Sequence, residues 1–255
     1  MKKLIAIIPC LMLFSCINHN QADRQEEKDS TQIAIIKNDS TTVCDSISPD
    51  SIFINEEALH LRQKERKITG IVIHCSATAE EVPTPIDTIT KGHLMRGFRS
   101  IGYHYYITRD GVIHRGRDLS KQGAHVAGHN ATTIGICYEG GLRRASKVKG
   151  MEGIKVPEHL KNVRYDVFRT IVDCDTFMAT AYRGKAYVSY DTRTPMQKAA
   201  LTQLTKRLQK IYGNIPVCGH RDYSPDLNHD GVISKKERIK ECPCYDVALS
   251  RGRSE

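Results

Sequence analysis

Three metal-capable side chains stand at the ends of apolar runs or loops. His74 closes the run ITGIVIHCS (68–76), His220 follows IPVCG (215–219), and Cys242 follows a polar loop. Imidazole nitrogen and thiolate sulfur are metal-ligand atoms, so three such side chains brought together could hold a divalent ion. Two neutral imidazoles and one thiolate would leave the centre with a net charge of about +1, enough to polarise a carbonyl and acidify a bound water. Their distance apart in sequence does not bring them together; strands that end at one rim of a sheet would.

A second set of donors lies between His220 and Cys242. The segment DLNHDGVISKKE (226–237) matches the twelve-residue calcium loop of EF-hands at its diagnostic positions. Asp226, Asn228 and Asp230 fall at positions one, three and five, Gly231 at the sharp turn at six, and Glu237 at the bidentate position twelve. Val232 would offer its carbonyl, and Ser234 would coordinate directly or through water. Ser224-Pro225 leaves no room for an entering helix, so the reading is a half-motif followed by a helix over 235–240. Ca²⁺ there would fix the spacing of His220 and Cys242.

The elements that must position these groups follow from period and punctuation. Residues 68–76 form a β-branched run expected as a buried strand. A helix is expected over 84–98, with Pro85 in its first turn and Gly97 at its end. Asp110-Gly111 marks a hairpin within 103–117. Thr133 to Glu139 reads as a second buried strand, 195–212 as an amphipathic helix with Ala200, Leu201, Leu204, Leu208 and Ile211 on one face, and 215–218 as a further strand. Strands alternating with helices predict an α/β domain with a central mixed sheet flanked by helices. Residues 143–190 are basic and irregular where a short loop would serve, and are expected as an insertion, a lid being one role for it.

Local strings then narrow the reading. Ile73-His74-Cys75-Ser76-Ala77-Thr78, Gly102-Tyr103-His104-Tyr105, Arg109-Asp110-Gly111, Gly116-Arg117-Asp118, Gly123-Ala124-His125 through Gly128-His129-Asn130, Ile134-Gly135-Ile136 and Lys240-Glu241-Cys242-Pro243 occur in one order. Over residues 67–248, the insertion aside, this order resembles the type 2 N-acetylmuramoyl-L-alanine amidases, a superfamily that includes peptidoglycan recognition proteins and phage lysozyme-amidases. The resemblance implies His74, His220 and Cys242 as zinc ligands and the amide between N-acetylmuramic acid and L-alanine as the bond cut. It implies Tyr103 as the tyrosine beside the zinc water and Lys240 as the stabiliser of the oxyanion. Glu139 is a candidate general base, since some relatives use a glutamate near this place while phage members have an apolar residue there. His125 and His93 are expected to line the groove and contact substrate, and Cys75 and Cys137 to be core thiols.

The remaining features concern address and partners. The chain has 255 residues and a formal charge of +9, which favours polyanionic partners without naming one. No aromatic-basic array or nucleic-acid-binding motif is present, so nucleic acid is not expected. Lys2 and Lys3 precede a short apolar run ending Leu13-Phe14-Ser15-Cys16, the pattern of a secretory leader over 1–15. It resembles the lipobox of bacterial lipoproteins, which would make Cys16 the lipidated N-terminus; an ordinary leader cleaved elsewhere is the other reading. Residues 16–61 read as a polar tether, 51–61 having enough apolar character for a short helix or strap. A catalytic domain over 62–250 and a tail over 251–255 complete the plan. Seven cysteines follow Cys16; Cys244 could pair with Cys218, or join Cys242 on a structural zinc. The expected protein is a monomeric, zinc-dependent amidase on a bacterial membrane facing the periplasm. A non-catalytic peptidoglycan-binding module is the alternative.

Overall fold

A computed structural model describes residues 52–156, 169–174, 177–182 and 184–247. The leader, Cys16, most of the tether and the 251–255 tail lie outside these residues. The apolar run expected as a strand is β1 (Gly70–Cys75), buried along its whole length, as a central strand covered on both faces must be. It lies between two parallel neighbours, β5 (Thr133–Tyr138) and β10 (Val217–Gly219). Beyond β5 the sheet continues with β3 (Tyr105–Ile107), parallel to it, and β4 (Ile113–Arg115), antiparallel to β3. The expected mixed sheet therefore has the order β10-β1-β5-β3-β4. Gly111, at φ 85°, turns the β3–β4 hairpin where Asp-Gly was expected to.

The two-residue period of a strand gives this sheet two different faces. Ile71 and Ile73 of β1, Ile134 and Ile136 of β5, and Tyr105 and Ile107 of β3 belong to the main core, which also holds Ala199, Ala200, Leu201, Leu204 and Leu208 of α2 (Pro195–Tyr212). Thr194 caps α2 by accepting from Gln197 N while the Gln197 side chain accepts from Thr194 N, and Pro195 occupies the first turn, a capping box with its proline in the favoured place. The alternate positions carry His74 of β1, in register with Cys137 of β5, itself in register with Tyr106 of β3. Parallel pairing brings the carboxyl ends of β1, β5 and β10 to one rim, where His74 and His220 sit.

The structure corrects several boundaries. The helix expected over 84–98 is α1 (Ile86–Met95), with Pro85 as its N-cap residue. Its end is as expected near Gly97, whose φ is 84° and whose N–H donates to Leu94 O. Of the readings for 51–61, the strap is the one seen: Ile52, Ile54, Leu59 and Leu61 are buried in the main core, so the tether does not run to residue 61. Tyr105 and Tyr212 hydroxyls clamp this strap by donating to the carbonyls of Leu59 and Leu61. Residues 143–190 are not simply an irregular excursion. Their described strands belong to a second sheet, β2-β6-β9-β8-β7, formed by Thr78–Ala79, Gly141–Arg144, Lys185–Ser189, Phe177–Tyr182 and Arg169–Cys174 in that order. Arg143 and Arg144, counted as loop charges, are strand residues paired across to Val188 and Tyr187. Their guanidinium groups meet Glu80 and Glu81 beside β2.

Candidate metal centre

His74, His220 and Cys242 converge: one ligand atom from each lies within 4.8 Å of the other two. His74 Nδ1 is 3.7 Å from Cys242 Sγ, and the two imidazole rings are 4.7 Å apart between centroids. Three elements deliver them: the end of β1, the turn after β10, and the C-terminal loop. That loop is tied to the sheet by backbone bonds, Arg221 N donating to Cys242 O (2.8 Å) and Cys75 N to Cys242 Sγ (3.2 Å). The second of these suits a thiolate, which accepts better than a thiol.

The electrostatics keep both rings neutral, as ligation demands. Burial, then the neighbouring His125, His220 and Lys240, holds the His74 pKa well below the usual histidine range. Burial and Lys240 hold His220 down to about 4. Nδ1 of His74 is turned to the Cys242 sulfur, and its Nε2 shares a hydrogen bond with His125 Nδ1 at 3.0 Å. His125 Nε2 is buried without a partner, and burial, with the neighbouring His104, holds the His125 pKa down to about 3. Its backbone N–H and that of Val126 both donate to Asn130 Oδ1 (2.7 and 2.9 Å). A Cβ on Gly135 would come within 2.6 Å of the His125 ring. Only glycine leaves space for that ring behind His74.

A cleft of about 440 Å³ opens over the centre, lined in part by Tyr103, Lys240, Thr88, Ile89, Arg96 and Phe98. Tyr103 packs its ring against His74 (5.1 Å) and His93 (5.3 Å). Burial first, then nearby cysteines, raises its pKa well above the ordinary phenol value, so it remains a proton-bearing donor. Lys240 is exposed and close enough to depress both histidines. His93 is 4% exposed and accepts from Gly102 N through Nδ1 (2.8 Å). It thereby fixes the residue before Tyr103 and also reaches the cleft wall.

Two expectations change here. Glu139 does not face the cleft. It is 4% exposed, with Oε1 accepting from Thr84 N and Oε2 from Arg109 N. β5 ends at Tyr138, so the strand alternation that put Glu139 beside Cys137 no longer applies. Among the described residues lining the cleft there is no carboxylate. His125 lines the cleft, but its Nδ1 is spent on His74 rather than on substrate.

Cys75 (4% exposed) and Cys137 (0%) are core thiols, as expected. Cys244 has its sulfur 3.6 Å from Cys75 Sγ, so its neighbour is Cys75 rather than the expected Cys218, and it is not a member of the histidine cluster. Sequence reasoning missed the supports: Asn130, Gly135, and His104, whose Nδ1 accepts from Gly135 N (2.9 Å). Asn130 and Gly135 stand inside the strings quoted above, but residue type alone does not show what they hold.

In the 226–237 loop, Asp226 Oδ2 accepts from Gly231 N (2.8 Å), while its Oδ1 is buried without a partner. Asn228 and Asp230 side chains bond each other at 2.8 Å. Glu237 is 7% exposed. The helix expected over 235–240 is a single 3-10 turn, Lys235–Glu237, because Arg238 adopts extended backbone.

An α/β domain that gathers two imidazoles and a thiol at the rim of its sheet, beside an open cleft, has a donor set able to hold a metal ion. The model of one family, described as N-acetylmuramoyl-L-alanine amidase, matches residues 64–243. The chain belongs to that family. It is 33% identical over 138 residues to an uncharacterised protein of Haemophilus influenzae, covering 54% of this chain and 84% of that protein. It is 39% identical over 80 residues to the endolysin of Escherichia phage T7 (31% of this chain, 53% of the endolysin), and thus spans about half that relative's length. A solved endolysin amidase from Clostridium intestinale aligns over 71% of this chain and 78% of its own, at 23% identity and a TM-score of 0.42.

Proposed function

We propose that this chain hydrolyses the amide between N-acetylmuramic acid and L-alanine in peptidoglycan, using a Zn²⁺ held by His74, His220 and Cys242. The observation that carries the reading is the convergence of those three donors within 4.8 Å in a chain of the amidase family. The donor set fits the metal: two rings kept neutral by burial and one sulfur already accepting an N–H bond, with the cleft opening on the remaining side. Bound there, Zn²⁺ supplies a Lewis acid for the scissile carbonyl and lowers the pKa of water.

The chain's own groups do the rest. Tyr103 Oη keeps its proton and donates a hydrogen bond to the carbonyl oxygen or the attacking water. Lys240 Nζ stabilises the negative oxygen of the tetrahedral intermediate, a contribution of order 10²–10³ in rate for one such donor. Arg96, on the cleft wall, is placed to meet stem-peptide carboxylates. No carboxylate base is invoked, since Glu139 is committed to backbone amides. The alternative, a binding module without catalysis, is disfavoured because the thiol ligand is present and positioned.

The address belongs to the same proposal. Lipidation of Cys16 would tether a monomeric enzyme to a bacterial membrane with the periplasmic wall in reach. Labelling with a radioactive fatty acid, present in the native chain and lost in Cys16→Ser, tests it. For the activity, purified sacculi are digested and the new termini identified by mass spectrometry. Free N-terminal L-alanine with unsubstituted lactyl groups is the expected product, absent with Cys242→Ala. New reducing sugar ends or internal peptide cuts would overturn the amidase reading.

A further inference from the structure

We propose that the 226–237 loop is a Ca²⁺ site whose occupancy steadies the segment carrying Lys240 and Cys242; this second clause rests on the zinc reading. The donors are three carboxylates, Asp226, Asp230 and Glu237, with the Asn228 amide and the Val232 carbonyl at the spacing of an EF-hand loop. All are hard oxygen donors, the set that selects Ca²⁺ over softer metals. Independent of that spacing is the state of Asp226. Its Oδ2 is satisfied by Gly231 N, yet Oδ1 is buried and has no hydrogen-bond partner. A carboxylate oxygen sealed from water with nothing to accept is costly unless a cation faces it.

Glu237 shows why the affinity should be modest. Its Oε1 accepts from Leu227 N (2.9 Å) and Asn228 N (3.2 Å), and its Oε2 from Ser234 N (2.7 Å) and Ser234 Oγ (2.6 Å). These bonds draw the carboxylate inward between the two halves of the loop. Bidentate coordination would trade some of them, which places the dissociation constant toward the weak end for such loops, about 10⁻⁴ to 10⁻³ M. The same four bonds would explain a turn that needs no metal. They leave Asp226 Oδ1 unexplained.

The coupling follows from the neck of the loop. Ile239 N donates to Ser224 Oγ (3.2 Å), and Glu241 lies between Arg221 (3.7 Å) and Arg238 (3.6 Å). His220 and Cys242 stand directly beyond that neck. A cation joining Asp226 to Glu237 shortens the free chain between the two ligands from the whole loop to its ends, cutting the disorder that ligand release would recover.

The test uses the full chain, stripped of metal and reloaded with one equivalent of Zn²⁺. Calorimetric titration with Ca²⁺ should show one saturable site, weakened at least about tenfold in Asp226→Asn and in Asn228→Ala, the latter an exposed change that spares the fold. Zn²⁺ release to a chromogenic chelator should be about threefold slower or more with millimolar Ca²⁺, an effect absent in Asp226→Asn. No saturable Ca²⁺ binding, or binding unchanged in both variants, overturns the site. Binding that leaves zinc release unaltered overturns the coupling. A chain that takes up no zinc refutes the zinc reading, while the calcium titration still decides the loop.

Discussion

His125 governs the orientation of the His74 ring, one of the three proposed zinc ligands. Its Nδ1 shares a 3.0 Å hydrogen bond with His74 Nε2, which would commit the other nitrogen of His74 to the proposed zinc; such outer partners commonly carry a factor of about 10–100 in metal affinity. His125→Ala should therefore weaken Zn²⁺ binding by that factor in a chelator competition, and His125→Asn, whose Oδ1 can accept in place of Nδ1, should recover part of it. Unchanged affinity in the alanine variant would remove the ring from the metal's support. Tyr103→Phe tests the other side of the centre: zinc content should hold while kcat falls about 10²–10³-fold, the range for losing one positioned donor. The sequence announced residue types at this scale. His220, Cys242, Tyr103 and Lys240 line one cleft, and the His74 ring packs against those of Tyr103 and His220. What it did not announce is the face each ring turns, because a nitrogen's partner depends on packing against glycines such as Gly135 that are silent in any pattern.

Glu139 belongs to the scale of elements. It joins the loop before α1 to the turn between β3 and β4 by accepting from Thr84 N and Arg109 N, while Gln197 of α2 donates to Glu139 O (2.9 Å) and Ile107 O (3.1 Å). Removing the carboxylate leaves two inward amides without acceptors, at about 1–3 kcal/mol for each group left unpaired. Glu139→Ala should lower the urea midpoint accordingly and leave zinc content unchanged; a stable variant with kcat near zero would instead restore the carboxylate to the chemistry. The central strands and α2 were legible because period, capping and turn residues agree there. The second sheet was not. Its strand β6 carries arginines at 143 and 144 whose charges are answered by Glu80 and Glu81, more than 60 residues earlier in the chain, so its polarity resembled a loop until the partners were seen.

For the whole molecule, the buried histidines tie stability to pH. His104 is 1% exposed; its Nδ1 accepts from Gly135 N, so Nε2 carries the proton and donates to Lys121 O (3.0 Å). Burial foremost, with Arg66 and Arg117 nearby, holds its pKa down to about 4, against 6.5 for an ordinary histidine. Above pH 6.5 the ring is neutral in both folded and unfolded chains. As pH falls below 6.5 the unfolded chain takes up a proton that the folded chain refuses, so stability declines until the pH passes about 4, where the loss levels off. A gap of that size corresponds to about 3 kcal/mol. In urea titrations between pH 7 and 4, His104→Asn, which preserves an acceptor for Gly135 N, should lose stability less steeply than the native chain, by about 1 kcal/mol per pH unit within that window. The other low-pKa rings, His74, His93, His114 and His220, act on both chains alike, and His125, at about 3 and held down partly by His104, stays neutral across this window, so the difference in slope reports on His104. Parallel slopes would mean that the buried imidazole accepts its proton in the folded state, and the rigid, dry packing behind the metal centre inferred from its neutrality would have to be abandoned.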